Sequence, residues 1–418
     1  MGLLDPLTAI LVSFCLLGVL LYKRVNLGIT LTLTAIVLAL LALDWQTIPY
    51  IAYTTVDPST ADGLLAISVI LATFGIMWLS QLYKETGEIT RLSESLSRLV
   101  KNPKIVLSII PAIIGFLPVA GGALMSAPIV DAEAEKLKLT PERKAYVNLW
   151  FRHTIFPVYP LGQLLIITAA LTETPLFSII FLQIPTVAVM VAVGFLVSFW
   201  KTSAIKEEKA GKTSSDLKDF VLTFSPILAT IVVAISMNVL GYGFPQQGFD
   251  ILIATFVGLA VLAAISRSNL RTLTKPLRML GVYGVTLAVY GAFLLRNVMR
   301  TAGISEIFQL LISNGSLNIV VLLTAIPMAL GFLIGSPSGA IAIGASIFTG
   351  FLTFTPKTAA LLYISAYLGY LIAPTHLCFT FTADYFKSSL GKVYKYLIPS
   401  FTATFATALI VYFLPFSI

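Results

Sequence analysis

Charge is what this 418-residue chain has least of: Asp, Glu, Lys and Arg together make up 11% of it. A chain so poor in charge and 57% hydrophobic cannot clothe an ordinary soluble core in polar surface. Histidine occurs twice, as His153 and His376, and cysteine twice, as Cys15 and Cys378. Both cysteines lie in apolar runs, which speaks against a disulfide framework or a thiolate metal site. There is no His-Glu-x-x-His run, no Gly-x-Ser-x-Gly elbow and no Gly-x-x-x-x-Gly-Lys-Ser/Thr loop. Enzymatic readings therefore have no motif to stand on, and an ATP-driven pump in this one chain has no nucleotide loop. No cofactor is expected. The net charge of +8 lacks the basic stripe with interleaved aromatics that nucleic acid requires. Nor does the N-terminus carry a basic region followed by a small-residue cleavage site, so residues 5–22 read as a span rather than a removable signal.

Long apolar runs are what the sequence has in abundance, each of roughly 18–25 residues and long enough to cross about 30 Å of hydrocarbon. The expected fold is an all-α polytopic membrane protein. Ten spans are read at 5–22, 27–43, 64–83, 141–171, 175–200, 218–240, 249–266, 279–300, 356–386 and 391–415. Two further apolar stretches, 104–138 and 316–352, do not fit as simple spans. With the N-terminus outside, nearly all of the 27 Lys and Arg fall in loops on one side, whereas the outer loop 44–62 carries Asp44, Asp57 and Asp62 and no basic residue. That sorting is the positive-inside signature of a cell membrane protein. It places both termini outside and loops 84–104 and 201–217 in the cytoplasm. It also requires 104–138 and 316–352 to enter and return on one side, as re-entrant helical hairpins. From Pro103 to Pro118 a helix reaches about 24 Å, short of a crossing. The turns Pro118-Val119-Ala120-Gly121-Gly122 and Gly335-Ser336-Pro337-Ser338-Gly339 hold the glycines a tight reversal needs.

The two stretches belong to a repeat. At one constant offset, Leu71-Ala72 matches Leu287-Ala288, Gly75 matches Gly291, Gly87 matches Gly303 and Pro111 matches Pro327. Gly115-Phe116-Leu117 then matches Gly331-Phe332-Leu333, and one inserted residue carries the match on to Gly122-Ala123 against Gly339-Ala340 and Pro157 against Pro374. Each copy has an amphipathic segment before its hairpin, at 88–101 and 304–312, suited to lying along the membrane plane. Each has a proline-broken span after it, at Phe156-Pro157-Val158-Tyr159-Pro160 and at Ala373-Pro374-Thr375-His376. Residues 1–200 and 218–418 are thus two halves of five spans and one hairpin, joined by the linker 201–217. Five being odd, the second half is inverted. Gly/Pro-interrupted segments in matching positions of two halves point to a transporter site.

That order of elements resembles the ion transporter superfamily, which includes divalent anion/sodium symporters, gluconate and lactate permeases, citrate–metal transporters and arsenite pumps. The tips Gly121-Gly122-Ala123 and Ser336-Pro337-Ser338-Gly339 look like degenerate versions of the symporters' Ser-Asn-Thr tips. The stretch from Gly115 to Asp131 is similar to an uncharacterised ten-span prokaryotic family within that superfamily. The resemblance implies an elevator-like transport domain moving against a dimeric scaffold. Neither tip carries Asn, so sodium–dicarboxylate chemistry does not carry over.

Helix ends inside the bilayer expose amides at one end and carbonyls at the other. The amides near Gly122-Ala123, Ser338-Gly339 and Thr375-His376 suit an anion. Carbonyls near Gly335 suit a cation such as Na⁺. The candidate substrate contacts are Gly121, Gly122, Ala123, Ser336, Ser338, Gly339, Thr375 and Arg152. Arg152 reads as an anion-binding charge, as a structural ion pair with Asp384 or Asp131, or as a side chain snorkelling nearer the inner face. His376 is a candidate proton-coupling group or a satisfied interior histidine. Asp384 is a candidate coupling carboxylate, or a group at the end of its span pairing with Lys387 or water. The function these residues suggest is secondary active transport of a small, anionic solute, a carboxylate or inorganic anion, coupled to Na⁺ or H⁺. A passive channel and an intramembrane enzyme or lipid-handling protein are the alternatives.

Overall fold

The computed structural model describes residues 2–100, 102–117, 122–202, 214–303, 318–349 and 351–415. The chain is a polytopic membrane protein, all helical, with no strand among the described residues. Its helices are α1 (Pro6–Tyr22), α2 (Leu27–Ala42), α3 (Ile48–Thr54), α4 (Ala61–Glu85), α5 (Glu88–Leu99), α6 (Pro103–Gly115) and α7 (Gly122–Lys136). There follow α8 (Pro141–His153), α9 (Gln163–Thr172), α10 (Leu176–Phe199), α11 (Ser214–Val239), α12 (Gln247–Ile265), α13 (Leu270–Thr274) and α14 (Leu280–Thr301). The last are α15 (Ile319–Ile334), α16 (Pro337–Phe348), α17 (Pro356–Leu371), α18 (Leu377–Tyr385) and α19 (Leu390–Phe413).

Among the described residues seven segments are long and apolar enough to cross a membrane, with α8 and α9 counted together as Pro141–Thr172. The other three expected spans differ for local reasons. Helices α1 and α2 have only 17 and 16 residues, because Asp5 and Asn26 cap their N-termini and the chain turns before a longer run can form. The span 356–386 is divided into α17 and α18 by Pro374, which has no amide to continue the ladder. The short helix α3 inside the acidic loop 44–62 was not expected; Pro49 near its start suits a first turn. The segment 304–312, the tip residues 118–121 and most of the linker 201–217 lie outside the described residues.

The stretches 104–138 and 316–352 form helical hairpins, α6 against α7 and α15 against α16. Their arms run 12 to 16 residues, about 18–24 Å at the α-helical rise. Packing within and between the two halves comes in matched pairs. Helix α2 lies on α14 as α12 lies on α4, α6 on α8 as α15 on α17, and α7 on α18 as α16 on α9.

Glycines set how closely the hairpins approach the broken spans. A Cβ on Gly331 would stand 2.2 Å from the Ala366 carbonyl oxygen, and one on Gly369 would stand 2.1 Å from that of Met328. Helices α15 and α17 therefore touch backbone to backbone, the small-residue packing that apolar surroundings favour. In the first copy Gly115 does the same, 2.4 Å from the Arg152 carbonyl oxygen. Bulk at such a crossing must push two backbones apart. Gly331→Leu is expected to destabilise the protein by about 1–3 kcal/mol or more. Gly391→Ala, which meets nothing within 4 Å, should stay within about 0.5 kcal/mol of the parent. Thermal unfolding in detergent reads both, and equal midpoints would refute the crossing's importance.

Candidate functional site

Both broken spans lose their helical ladder at proline, and the carbonyls this frees are met by tyrosines. Helix α8 ends at His153, a 3₁₀ turn covers Phe156–Val158, and α9 starts at Gln163. Tyr367 on α17 donates to the His153 carbonyl at 2.6 Å. Tyr394 on α19 donates at 2.6 Å to the carbonyl of Ile372, where α17 ends. The irregular backbone is thus buried in protein, as apolar surroundings demand.

Between the breaks lies a cavity of about 270 Å³. Three helices point their N-termini at it: α9 through Gly162 and Gln163, α16 through Ser336 and Ser338, and α18 through His376 and Leu377. Aromatic rings of Phe116, Phe156, Tyr159, Tyr367 and Tyr370 supply most of the remaining wall. No Asp or Glu is among the described residues lining it, and its one charged residue is Arg152. The C-terminal ends of α6, α8 and α15 reach it too, at Phe116, His153 and Gly335, so its dipoles are mixed and its side-chain charge is the Arg152 cation.

Arg152 is 2% exposed. Its guanidinium rests against Gly122 at the start of α7, where a Cβ would come within 2.2 Å of Nη2. Nη2 donates at 3.4 Å to the Leu117 carbonyl, a long hydrogen bond, while Nε and Nη1 have no partner among the described residues. Neither expected counter-ion is there. Asp131 pairs with Lys144 at 2.7 Å, and Lys144 also meets Glu135. Asp384 is exposed near the end of α18 and absent from the cavity lining. The comparison within the chain is direct: Arg296, 5% exposed, is paired with Glu173. Among the described residues Arg152 has no such partner, and each buried donor left unmet costs about 1–3 kcal/mol, more when charged.

Of the other candidates, Gly335, Ser336, Ser338 and His376 line the cavity. Gly335 has φ 63°, the left-handed conformation that glycine tolerates, and a Cβ there would meet Thr375 Oγ1 at 2.3 Å. Thr375 itself is exposed and abuts the tip rather than lining the cavity. Ala123 and Gly339 are buried behind the lining, Gly339 against Leu27 and Ile334. Gly121 lies outside the described residues. The reason Asp384 misses the cavity is helical: α18 begins at Leu377 with its N-terminus at the lining, and Asp384 lies two turns further on.

Asn148 was not foreseen. Fully buried on α8, it donates to the Ala123 carbonyl at 2.8 Å and to Thr382 Oγ1 at 3.3 Å, and accepts from Ser126 Oγ at 2.6 Å. One amide therefore ties the first hairpin to both broken spans. Tyr367, Tyr370, Gln163 and Cys378 were missed as well. An intramembrane Asn one turn before Arg152 on the same helix was the available signal for the first.

The chain belongs to the family described as "Protein of unknown function (DUF401)", whose model matches residues 7–414. No curated protein matches. Among solved structures, the fold is shared with the YdaH transporter of Alcanivorax borkumensis, at 16% identity and TM-score 0.65, with 90% of each chain covered. It is also shared with MtrF of Neisseria gonorrhoeae, described among antimetabolite efflux pumps, at 14% identity and TM-score 0.52, covering 88% of this chain and 83% of that one. These matches replace the broader resemblance to the ion transporter superfamily, which they do not carry.

The position of the guanidinium is testable without a substrate. A methyl group at residue 122 occupies the place where Arg152 now rests, and the flexible end of the arginine is what yields. Gly122→Ala should therefore change stability by no more than about 1 kcal/mol while turning Arg152 toward the cavity. Mass spectrometry should then find Arg152 modified faster by a water-soluble, arginine-selective dicarbonyl than in the parent. Equal rates would place the guanidinium elsewhere.

Proposed function

We propose that this member of the DUF401 family is a secondary active transporter of a small anionic solute, a carboxylate or inorganic anion. The observation that carries the reading is the cavity's side-chain charge: a buried arginine with no carboxylate partner among the described residues, beside three converging helix N-termini. An intramembrane cation of this kind needs an anion, and none of the described side chains supplies one. A cavity of about 270 Å³ suits a metabolite of a few non-hydrogen atoms. The descriptions of YdaH as a transporter and of MtrF among efflux pumps agree with transport as the activity class.

In this reading the two halves are inverted repeats, and the hairpins are re-entrant. Hairpins and broken spans move together as an elevator against a scaffold built from α2, α4, α12 and α14, in a homodimer within the cell membrane. Coupling is to Na⁺, held by carbonyls near Gly335, or to H⁺ through His376. Both termini face outward.

Reconstituted protein given labelled monocarboxylates, dicarboxylates, sulfate and phosphate under an imposed Na⁺ or H⁺ gradient should accumulate one class above equilibrium. Uptake that only ever equilibrates would sink the symport reading. Arg152→Gln should lower anion affinity roughly 10- to 100-fold, the worth of about 1.5–3 kcal/mol for a hydrogen bond to a charged group. Affinity unchanged by that substitution would move the anion site elsewhere.

A further inference from the structure

The cavity wall also gathers both histidines of the chain and one of its two cysteines. One ligand atom each of His153, His376 and Cys378 lies within 4.8 Å of the others. The imidazoles meet edge to face with centroids 4.8 Å apart. Nδ1 of His153 is 2.7 Å from the Leu149 carbonyl oxygen and Nδ1 of His376 is 3.4 Å from that of Leu371. A ring whose Nδ1–H faces a carbonyl keeps its lone pair on Nε2, the arrangement seen in metal-ligating histidines. Nε2 of His376 is buried and has no hydrogen-bond partner among the described residues. It is a donor atom in want of an acceptor group.

We infer that His153, His376 and Cys378 form a site for a soft monovalent d¹⁰ cation, Cu⁺. Two imidazole nitrogens and a sulfur suit Cu⁺ or Zn²⁺ by softness. The surroundings choose between them. With Arg152 and three helix N-termini around the cavity and no carboxylate on its described lining, a divalent ion would add net charge even after the thiol ionises. Cu⁺ does not: the thiol releases one proton to solvent, the thiolate takes the metal, and the resulting unit is neutral. Geometry agrees. With metal–nitrogen near 2.0 Å and metal–sulfur near 2.3 Å, donors in a trigonal plane stand about 3.5–3.7 Å apart, wider than in a tetrahedron. Closing from 4.8 Å needs about 1 Å of side-chain movement. Cys378, only half-buried at the start of α18, is free to supply it. The bound ion would join the end of α8 to the start of α18 and so staple the two broken spans together.

The site does not depend on anion transport and is tested apart from it. Purified full-length protein, held under anaerobic reducing conditions in detergent, is titrated with Cu⁺ against a chromogenic Cu⁺ chelator. One ion per chain should be retained, with release of one proton, and Ag⁺ as a redox-inert stand-in should raise the thermal midpoint. Cys378→Ser and His376→Gln should each weaken retention about 100-fold or more, while Cys15→Ser should leave it unchanged. Wild-type protein that retains no Cu⁺, or Cys378→Ser protein that retains it equally, overturns the site. Zn²⁺ held as firmly as Cu⁺ in competition overturns the charge argument for the ion. Anion uptake measured with metals chelated reports on the transport reading alone, so the two can fail separately.

Discussion

A guanidinium sealed inside an apolar protein without a carboxylate is the constraint around which the centre of this molecule is arranged. Arg152 and Arg296 are both buried, yet Arg296 has Glu173 while Arg152 has one long contact to a carbonyl and two unmet nitrogens. A buried charge without a partner is costly enough that folding removes it unless the charge has a use. Everything next to Arg152 accommodates it. Gly122 leaves room for the guanidinium, Asp131 and Glu135 are engaged by Lys144, and three helix starts reach the cavity beside it along with the C-terminal ends of α6, α8 and α15.

The packing that holds this arrangement is backbone against backbone. Gly331 and Gly369 interlock α15 with α17, and Gly115 lays α6 on the Arg152 carbonyl in α8. In the repeat, Arg152 stands where the other copy has Gly369. The second copy uses that position for close approach; the first uses it for charge. One substitution between copies therefore turns a packing glycine into the cation of the cavity, and Gly122 takes over the duty of making space. The hydroxyls of Tyr367 and Tyr394 then meet carbonyls that the proline breaks leave free, so the irregular segments are held by α17 and α19 rather than by their own helices.

The residues that break helices were legible in the sequence because proline and glycine act locally. Pro157, Pro374 and Gly335 do what their chemistry dictates wherever the chain goes, and the hairpins and broken spans were placed from them. Partners were not legible, because pairing depends on which helix faces which. Asp131 and Asp384 were equal candidates for Arg152 on paper; Lys144 engages the first, and the position of the second along α18 carries it away from the cavity. Asn148 escaped notice for the same reason, since an amide in a helix gains meaning only when Ala123, Ser126 and Thr382 close around it. Cys378 was set aside with Cys15 as a residue in an apolar run, and only the fold brings it to both histidines.

A cavity whose one charged lining residue among those described is a cation constrains the transport cycle proposed for it. In that cycle the empty moving parts would carry Arg152 uncompensated, whereas a bound monoanion would cancel its charge and ease the crossing. A co-transported cation alters that balance, since a monoanion with Na⁺ leaves the positive charge in place whereas a dianion with one Na⁺ cancels it. Coupling to a cation therefore favours a substrate with more than one negative charge. In the proposed cycle the return of the empty carrier would be the harder step, and the guanidinium resting against Gly122 is the conformation suited to it. Turning toward an anion and turning back against the hairpin would then be the two positions of one side chain, and the glycine at the tip is what permits the second.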